Sequence, residues 1–454
     1  MAEAMMWTIE QGDCLEVMRR GPGAVVDSMV TDPPAGIGFM GKKWDKDKGG
    51  REAWIAWLTS VMHEARRVMK PGAHGLVWAL PRTSHWTATA LEDAGFEVRD
   101  VKPDIFAADW AVRSFFKSLD ERQQDALMRI LEQQQSPVLL HLFGTGFPKS
   151  LSLGEGRGTA LKPASEHWIL VRRPCEGTTS ANVERWGTGG IEVDACRIAT
   201  SDDLNGGRYS DGKKGADGAA YGSGINRRSE LSYQQPSGRW PANVVLSHAE
   251  TCADACVEGC PVLALDQQAG TRKSRSRAAG RYQQRDGTGV YGASEAREEP
   301  EITGSVGSAS RFFYTAKPSP AERDAGLDAF EERSPAELTS SMEWQARPSS
   351  SRTGAGRSAG RRNHHPTVKS IALMRYLVRL VTPPEGLVLD PFAGSGSTGA
   401  AALLEGRRFM GIEQDPEYVR LARARIVFWE QQVRSGKCDT LSRQCDGSAF
   451  GGGS

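Results

Sequence analysis

The chain has 454 residues, with 57 Lys and Arg against 56 Asp and Glu, so its formal net charge is +1. That balance excludes a polybasic protein that holds nucleic acid by bulk charge, but not a local basic surface. Hydrophobic residues at 39% and charged residues at 25% fit a globular chain of two or three domains, and the lack of any apolar run of about 18 residues excludes a spanning helix.

Val25–Thr31 is a short apolar run ending in polar residues, which predicts a buried parallel strand. Glu52–Met69 carries apolar residues at helical spacing, with Pro71-Gly72 as its stop. Gly75–Leu80 then reads as a strand, Ser84–Ala94 as a helix and Phe96–Val101 as a strand. Ala108–Gln134 holds a charged and glutamine-rich helical stretch, Leu119–Gln134, to which no chemistry is assigned. Residues 187–238 are rich in Gly, Ser and Asp. Many of the 51 glycines lie in such loops. Arg272–Arg285 bears six basic residues and no acid before Asp286, and Pro348–Arg362 is rich in Ser, Gly and Arg. Toward the C-terminus, Thr367–Val381 predicts a helix, Gly386–Leu389 a strand, Gly396–Glu405 a helix, Phe409–Ile412 a strand and Pro416–Gln432 a helix. The alternation predicts an α/β fold with parallel strands and crossover helices. Its halves are residues 1–173 (with 102–138 as an accessory insertion) and 362–434. A loop-rich insert, 174–361, separates them, and 435–454 is expected to be a disordered tail.

Two segments carry chemistry. In Val388-Leu-Asp-Pro-Phe-Ala-Gly-Ser-Gly-Ser-Thr-Gly, a strand ends in Asp390 and a glycine turn leads into a helix. Gly394 and Gly396 allow a sharp turn and close approach of a ligand. Glu413, at the end of the next strand, stands where a carboxylate holds a ribose diol in nucleotide-type sites. A tight turn without a ligand is the bland alternative, and the ordered set Asp390, loop, Glu413 argues against it. The loop lacks the Lys-Ser/Thr of a phosphate-binding P-loop. Near the other terminus, Thr31-Asp32-Pro33-Pro34-Ala35-Gly36 follows the first apolar strand. Two prolines stiffen the backbone and remove its N–H donors. The Asp carboxylate and the proline carbonyls then form an acceptor-only rim, suited to an amine that donates two hydrogen bonds. Taken alone, it is equally a Pro-stiffened turn.

Together, and in this order, the motifs resemble those of the permuted, β-type amino-DNA methyltransferases, which act on adenine N6 or cytosine N4. Asp32-Pro33-Pro34 corresponds to that family's Asp-Pro-Pro-Tyr, and Phe392-Ala-Gly394-Ser-Gly396 to its Phe-x-Gly-x-Gly. Gly12-Asp13-Cys14-Leu15 and His365-Pro366-Thr367-Val368-Lys369 resemble further family segments. Gly144–Ser150 and Leu161–Glu166 resemble segments of phage and prophage members. The resemblance covers roughly residues 7–101, 139–173 and 362–430. It implies a Rossmann-like sheet that binds S-adenosyl-L-methionine over its C-terminal edge. Glu413 would take the ribose hydroxyls and Asp13 and Cys14 would approach the adenine ring. Asp390, Phe392, Gly394 and Gly396 would surround the methionine part, with Thr367 and Lys369 as further cofactor candidates. The target base would be flipped out of duplex DNA, and Asp32 and Pro33 would accept its amine hydrogens. Asp rather than Ser before Pro-Pro leans toward adenine.

The chain departs from the family where Ala35 replaces the aromatic residue that stacks on the flipped base, a contact worth about 1–3 kcal/mol. Phe39 and Trp44 are nearby substitutes. The alternatives are a slower enzyme, or a catalytically weak DNA-binding protein that retains the cofactor fold. An RNA or protein methyltransferase is the remaining alternative. In the insert, Arg272, Lys273, Arg275, Arg277 and Arg281 are candidate DNA contacts or, equally, a solvated loop. Trp240 is expected to be a core anchor. His248, Cys252, Cys256 and Cys260 offer four soft ligands for a structural zinc, but their even spacing along one helix would spread them too far to close a tetrahedron. Eight cysteines make no disulfide scaffold, and no signal peptide is apparent, so a cytoplasmic protein, bacterial or phage-encoded, is expected. Expected partners are double-stranded DNA, a cognate restriction enzyme and a second copy of the chain, with no membrane.

Overall fold

The computed structural model describes residues 6–39, 43–98, 138–143, 164–202, 236–252, 255–273, 306–334 and 360–436, with short strands and single residues between. Nine strands form one sheet: β1 (Trp7–Gln11), β2 (Val26–Thr31), β3 (Met69–Ala79), β4 (Val138–Leu142), β5 (Ser165–Arg172), β6 (Val244–Ser247), β7 (Tyr314–Ala316), β8 (Leu387–Asp390) and β9 (Arg408–Glu413). Their spatial order is β1-β9-β8-β2-β3-β5-β4-β6-β7. All pairings are parallel except those of β5, which runs against both β3 and β4.

The helices form two layers. On one face lie α1 (Cys14–Arg20), α2 (Arg51–Val68) and α3 (Ser84–Asp93). There Met18, Leu58, Met62 and Leu91 pack on Met29, Val77, Ile169, Leu389 and Ile412 of the sheet. The other face is covered by α6 (Ile371–Val381), α7 (Ser397–Leu404) and α8 (Pro416–Arg434). Tyr376, Leu377, Ala401 and Ile426 pack there on Val30, Leu76, Val388 and Phe409. The period-2 alternation of strand side chains thus feeds two cores, and strands buried on both faces read as continuous apolar runs. All six residues of β2 are buried. Smaller helices, among them α4 (Thr179–Trp186) and α5 (Pro261–Ala269), belong to the middle of the chain.

Most predicted elements are present within a residue or two. The helix before Pro71-Gly72 ends at Val68, but β3 begins at once at Met69 and runs through both residues. Gly72 adopts φ +75° and lets the strand bend against Asn182 of α4, where a Cβ would meet the amide nitrogen at 2.3 Å. The strand expected at Phe96–Val101 is reduced, among its described residues, to a single bridge between Glu97 and Arg172. The helix expected from Thr367 starts only at Ile371, leaving Lys369 in the loop before it. Leu119–Gln134 and the 437–454 tail lie outside the described residues. The middle region also contributes β6 and β7 to the main sheet.

Asp390 joins the two ends of the chain. Its buried carboxylate accepts from Thr31 Oγ1 at 2.7 Å, 359 residues away in sequence, from Thr398 Oγ1 at 2.6 Å and from the Phe392 N–H at 3.1 Å. Burial pushes its pKa up, and the three donors oppose that. Removing the donor from β2 in Thr31→Val keeps side-chain volume and leaves this buried carboxylate short of a partner. It is expected to cost about 1–3 kcal/mol in denaturant unfolding, where a loss below a few tenths would show that the contact does not hold the strands.

Candidate functional site

Four adjacent parallel strands, β1, β9, β8 and β2, end at one edge of the sheet, and the residues that follow them line a single cavity. Gly12, Asp13 and Cys14 follow β1. Asp32 and Pro34 follow β2. The turn from Asp390 to Ser395 follows β8, and Glu413 ends β9. The Gly394 backbone, at φ +51°, passes under the His365 ring, where a Cβ would lie 2.9 Å from Nε2. Gly396, at φ +76°, caps α7 and packs against Ala422 of α8, so its missing side chain serves the turn and the helix contact. Arg425, fully buried in α8, donates to the Ser395 carbonyl at 2.6 Å and to the hydroxyls of Ser395 and Ser397 at 3.1 Å, which pins the glycine turn from below.

Glu413 accepts from the Gly394 N–H and the Asp415 N–H, each at 2.8 Å. Its own carbonyl accepts from the Gly12 N–H at 3.0 Å. Burial raises its carboxyl pKa to about 7 despite these donors, so further donors from a ligand would favour the ionised form. Asp13 caps α1, accepting from the Leu15 and Glu16 N–H groups at 2.9 and 3.1 Å. Cys14 is buried and its thiol pKa is pushed to about 12, mainly by that burial, so it lines the cavity as a neutral group.

The loop after Asp32 is tied to Asp45, which is almost wholly buried. Its carboxylate accepts from the Gly36 N–H at 3.0 Å and the Phe39 N–H at 2.7 Å. Gly36, at φ +70°, lies on Trp54, whose ring leaves no space for a Cβ. Pro33 is buried, Pro34 faces the cavity, and Ala35 and Phe39 do not line it. Trp44 does line it. Its ring lies nearly parallel to that of His365, with centroids 6.1 Å apart, and His365 in turn meets Tyr418 edge-on at 4.6 Å. Lys48 and Trp57 form a second side of the wall, with the ammonium 4.7 Å from the ring centre and Trp57 tilted against Phe392 at 5.9 Å. Trp57 was legible only as a core position of its helix.

Lys369 sits between two carboxylates. Its Nζ lies 3.4 Å from Asp32 Oδ2 and 3.1 Å from Glu166 Oε1, and 4.3 Å from the centre of the Trp78 ring. Glu166 also meets His141 Nδ1 at 3.2 Å, and His141 Nε2 meets Ser247 Oγ at 2.7 Å. A polar string therefore runs along the sheet edge from β2 to β6. The reversal of β5 explains it. Being antiparallel, this strand starts where its neighbours end, which places Glu166 beside the carboxyl ends of β3 and β4. Burial raises the Asp32 pKa to about 7; Lys369 opposes the rise and Glu166 adds to it. Burial also acts against ionisation of Glu166, but Lys369 and His141 outweigh it and hold the carboxyl near 2. His141 thus bridges Glu166 and Ser247 through its two ring nitrogens.

In the middle region, Arg272 and Lys273 are exposed on a short strand that pairs with Val306–Gly307. Arg275 and Arg277 lie outside the described residues, as does the side chain of Arg281. Trp240 is no core anchor: it is 66% exposed, with the Arg197 guanidinium 5.5 Å from its ring centre. Phe312 is flanked by Arg239 at 4.7 Å and Arg311 at 4.4 Å. The ligand atoms of His248, Cys252, Cys256 and Cys260 lie within 4.8 Å of one another.

A doubly wound, mostly parallel sheet with an acidic cleft and a glycine turn at its carboxyl edge is a Rossmann-like nucleotide-type site. Residues 275–424 match a family model described as DNA methylase, of the N6/N4 methyltransferase kind. The chain is 44% identical over 73 residues to the putative methylase YubD of Escherichia coli strain K12, which is 16% of this chain and 32% of that protein. It is 44% identical over 63 residues to the DNA adenine methyltransferase YhdJ of the same strain, 14% and 21% of the two chains. It is 43% identical over 61 residues to the type II methyltransferase M2.MboI of Moraxella bovis, 13% and 22%. The matched segments therefore span a third or less of each relative's length. Among solved structures, the cytosine-N4-specific PvuII DNA methyltransferase aligns over 95% of this chain and 93% of its own, at 12% identity and a TM-score of 0.42. TTHA0409 of Thermus thermophilus, a putative DNA modification methylase complexed with S-adenosyl-L-methionine, aligns over 93% and 95%, at 14% identity and a TM-score of 0.36.

The Lys369 clamp predicts opposite titration shifts. Lys369→Met removes the cation and should raise the Asp32 midpoint above about 7, whereas Glu166→Gln removes a like charge and should lower it. Carboxyl carbon NMR of the two variants checks both signs, and equal midpoints would show that the ammonium does not control Asp32.

Proposed function

We propose that the chain is an S-adenosyl-L-methionine-dependent DNA methyltransferase acting on an exocyclic amine, adenine N6 in preference to cytosine N4. The observation that carries this reading is that the Asp32-Pro33-Pro34 rim and the glycine turn with Glu413, at opposite ends of the sequence, open on one cavity. The adenine preference rests on Asp before Pro-Pro and on the likeness to YhdJ, named as a DNA adenine methyltransferase.

The residues present fit the cofactor. Asp13, Asp32, Asp390 and Glu413 line the cavity against only Lys48 and Lys369 among its lysines and arginines, an acidic balance suited to a cation. Glu413 offers a carboxylate to a ribose diol, and Cys14 and Ile412 offer an apolar wall to a purine. When bound, S-adenosyl-L-methionine supplies an electrophilic methyl on a sulfonium. The protein then has to hold an amine in line and keep its lone pair available. Asp32 and the Pro33 carbonyl accept the two amine hydrogens of a flipped base, which biases the nitrogen toward lone-pair character, and Pro34 closes one side. Lys369 favours the ionised form that Asp32 needs to accept. Positioning and preorganised charge supply the catalysis, with no protein nucleophile.

Trp44 supplies the ring that Ala35 lacks, since it faces the cavity and Phe39 does not. DNA contacts fall to exposed Arg272 and Lys273 and to the exposed rings of Trp240 and Phe312, groups that pair phosphates and stack on bases. Ala35 also favours a second reading, a DNA-binding protein with little catalysis.

Labelled-methyl transfer to duplex DNA separates the two. The native chain should transfer label and Asp32→Ala should lose it while cofactor binding survives; full activity in Asp32→Ala would sink the mechanism, and an inactive native chain would favour the binder. Trp44→Ala should reduce transfer by about tenfold or more if stacking is lost, while Phe39→Ala should have little effect. The rate should rise with pH through about 7, because protonated Asp32 would present a hydrogen to the amine. Glu413→Ala should weaken cofactor binding about tenfold or more in calorimetry, and unchanged affinity would remove Glu413 from the ribose site.

A further inference from the structure

We propose that His248, Cys252, Cys256 and Cys260 form a structural zinc site, separate from the methyl-transfer cavity. Continuous helical spacing would separate these ligands, but the described residues between 248 and 260 form turns, a bend and irregular chain, not helix. Gly259, at φ +80°, turns the backbone just before Cys260. His248 follows β6 directly and Cys260 immediately precedes α5, so the two ends of the loop are fixed by regular elements.

The two nitrogen–sulfur distances are those of a tetrahedral site. Zn–S bonds of about 2.3 Å and a Zn–N bond of about 2.0 Å place a nitrogen about 3.5 Å from each sulfur. His248 Nδ1 lies 3.3 Å from Cys256 Sγ and 3.5 Å from Cys260 Sγ, and all four ligand atoms fall within 4.8 Å of one another. Two thiols converge on one ring nitrogen, which has a single lone pair to offer. A shared cation satisfies that geometry where hydrogen bonding serves only one of them. The three cysteines form no disulfide.

The local core also lacks mass. Among the described residues its buried members are Leu246, Cys260 and Val262, with partly buried residues packed around them. A core this small is where a metal supplies folding free energy. The site would knot the end of β6 to the start of α5, and α5 leads into exposed Arg272 and Lys273. Asp266 of α5 in turn accepts from the Ser310 N–H and hydroxyl, at 2.8 and 2.6 Å. The knot therefore carries the base of the basic segment, and Ser247, one residue before His248, carries the far end of the polar string.

Full-length protein purified under reducing conditions without chelators should contain one zinc per chain by mass spectrometry of metals. Cys256→Ser and His248→Ala should lose it. Because those variants can fail to fold, the native chain stripped of metal is also titrated with cobalt(II). Visible bands of tetrahedral cobalt with sulfur-to-metal charge transfer, saturating at one equivalent and displaced by zinc, would support the site. Absence of both stoichiometric zinc and these cobalt bands in the native chain would overturn it, as would full zinc content in a Cys256→Ser, Cys260→Ser double variant.

Discussion

The structure depends first on the burial of one carboxylate. Asp390 ends β8, and its oxygens take hydrogen bonds from β2, from the glycine turn and from the first turn of α7. A carboxylate removed from water demands such donors, because an unpaired one would cost more than the strand pairing around it returns. That demand locks residues near position 31 to residues near position 390, so that a rim from one end of the chain and a glycine turn from the other share a wall. Everything distinctive about the cleft follows from this register. Glu413 lies one strand over from Asp390, and Asp32 follows its partner Thr31 directly.

A second constraint is charge. The cleft gathers carboxylates at a sheet edge where water is largely excluded, and each one is handled differently. Asp390 is satisfied internally and Asp13 by a helix N-terminus. Asp32 has a lysine, while Glu413 has backbone donors and a pKa raised to about 7. The first two hold the architecture and the last two stay responsive to a ligand. The Lys369 ammonium links the responsive Asp32 to Glu166 and, through His141, to strands at the far side of the sheet. One antiparallel strand is enough to create that link, since its first residues arrive where its neighbours finish.

Much of this was legible in the sequence, because local patterns encode strands buried on both faces, helices with one apolar stripe and a glycine turn after a strand. Asp32, Glu413 and the turn stood out by their places at strand ends. Glu166, His141 and Ser247 did not, because nothing local in Ser165–Arg172 records its direction in the sheet. Pro71-Gly72 was read as the stop of the preceding helix, which does end at Val68, but both residues lie inside β3, where Gly72 packs against Asn182. Phe96–Val101 had the composition of a strand, yet among its described residues only Glu97 pairs, with Arg172. Trp240 was expected in the core, but its ring lies outside with an arginine over it. For His248 to Cys260, the even spacing suggested a helix, and the turns that bring the ligands together depend on contacts with the edge of the sheet.

The central claim is that this cleft methylates an exocyclic amine in DNA. The most direct measurement is base-modification sequencing of genomic DNA from a host lacking its own methyltransferases, expressing the chain. N6-methyladenine at one recurring sequence is the expected result. Unmodified DNA despite soluble, cofactor-binding protein would contradict it.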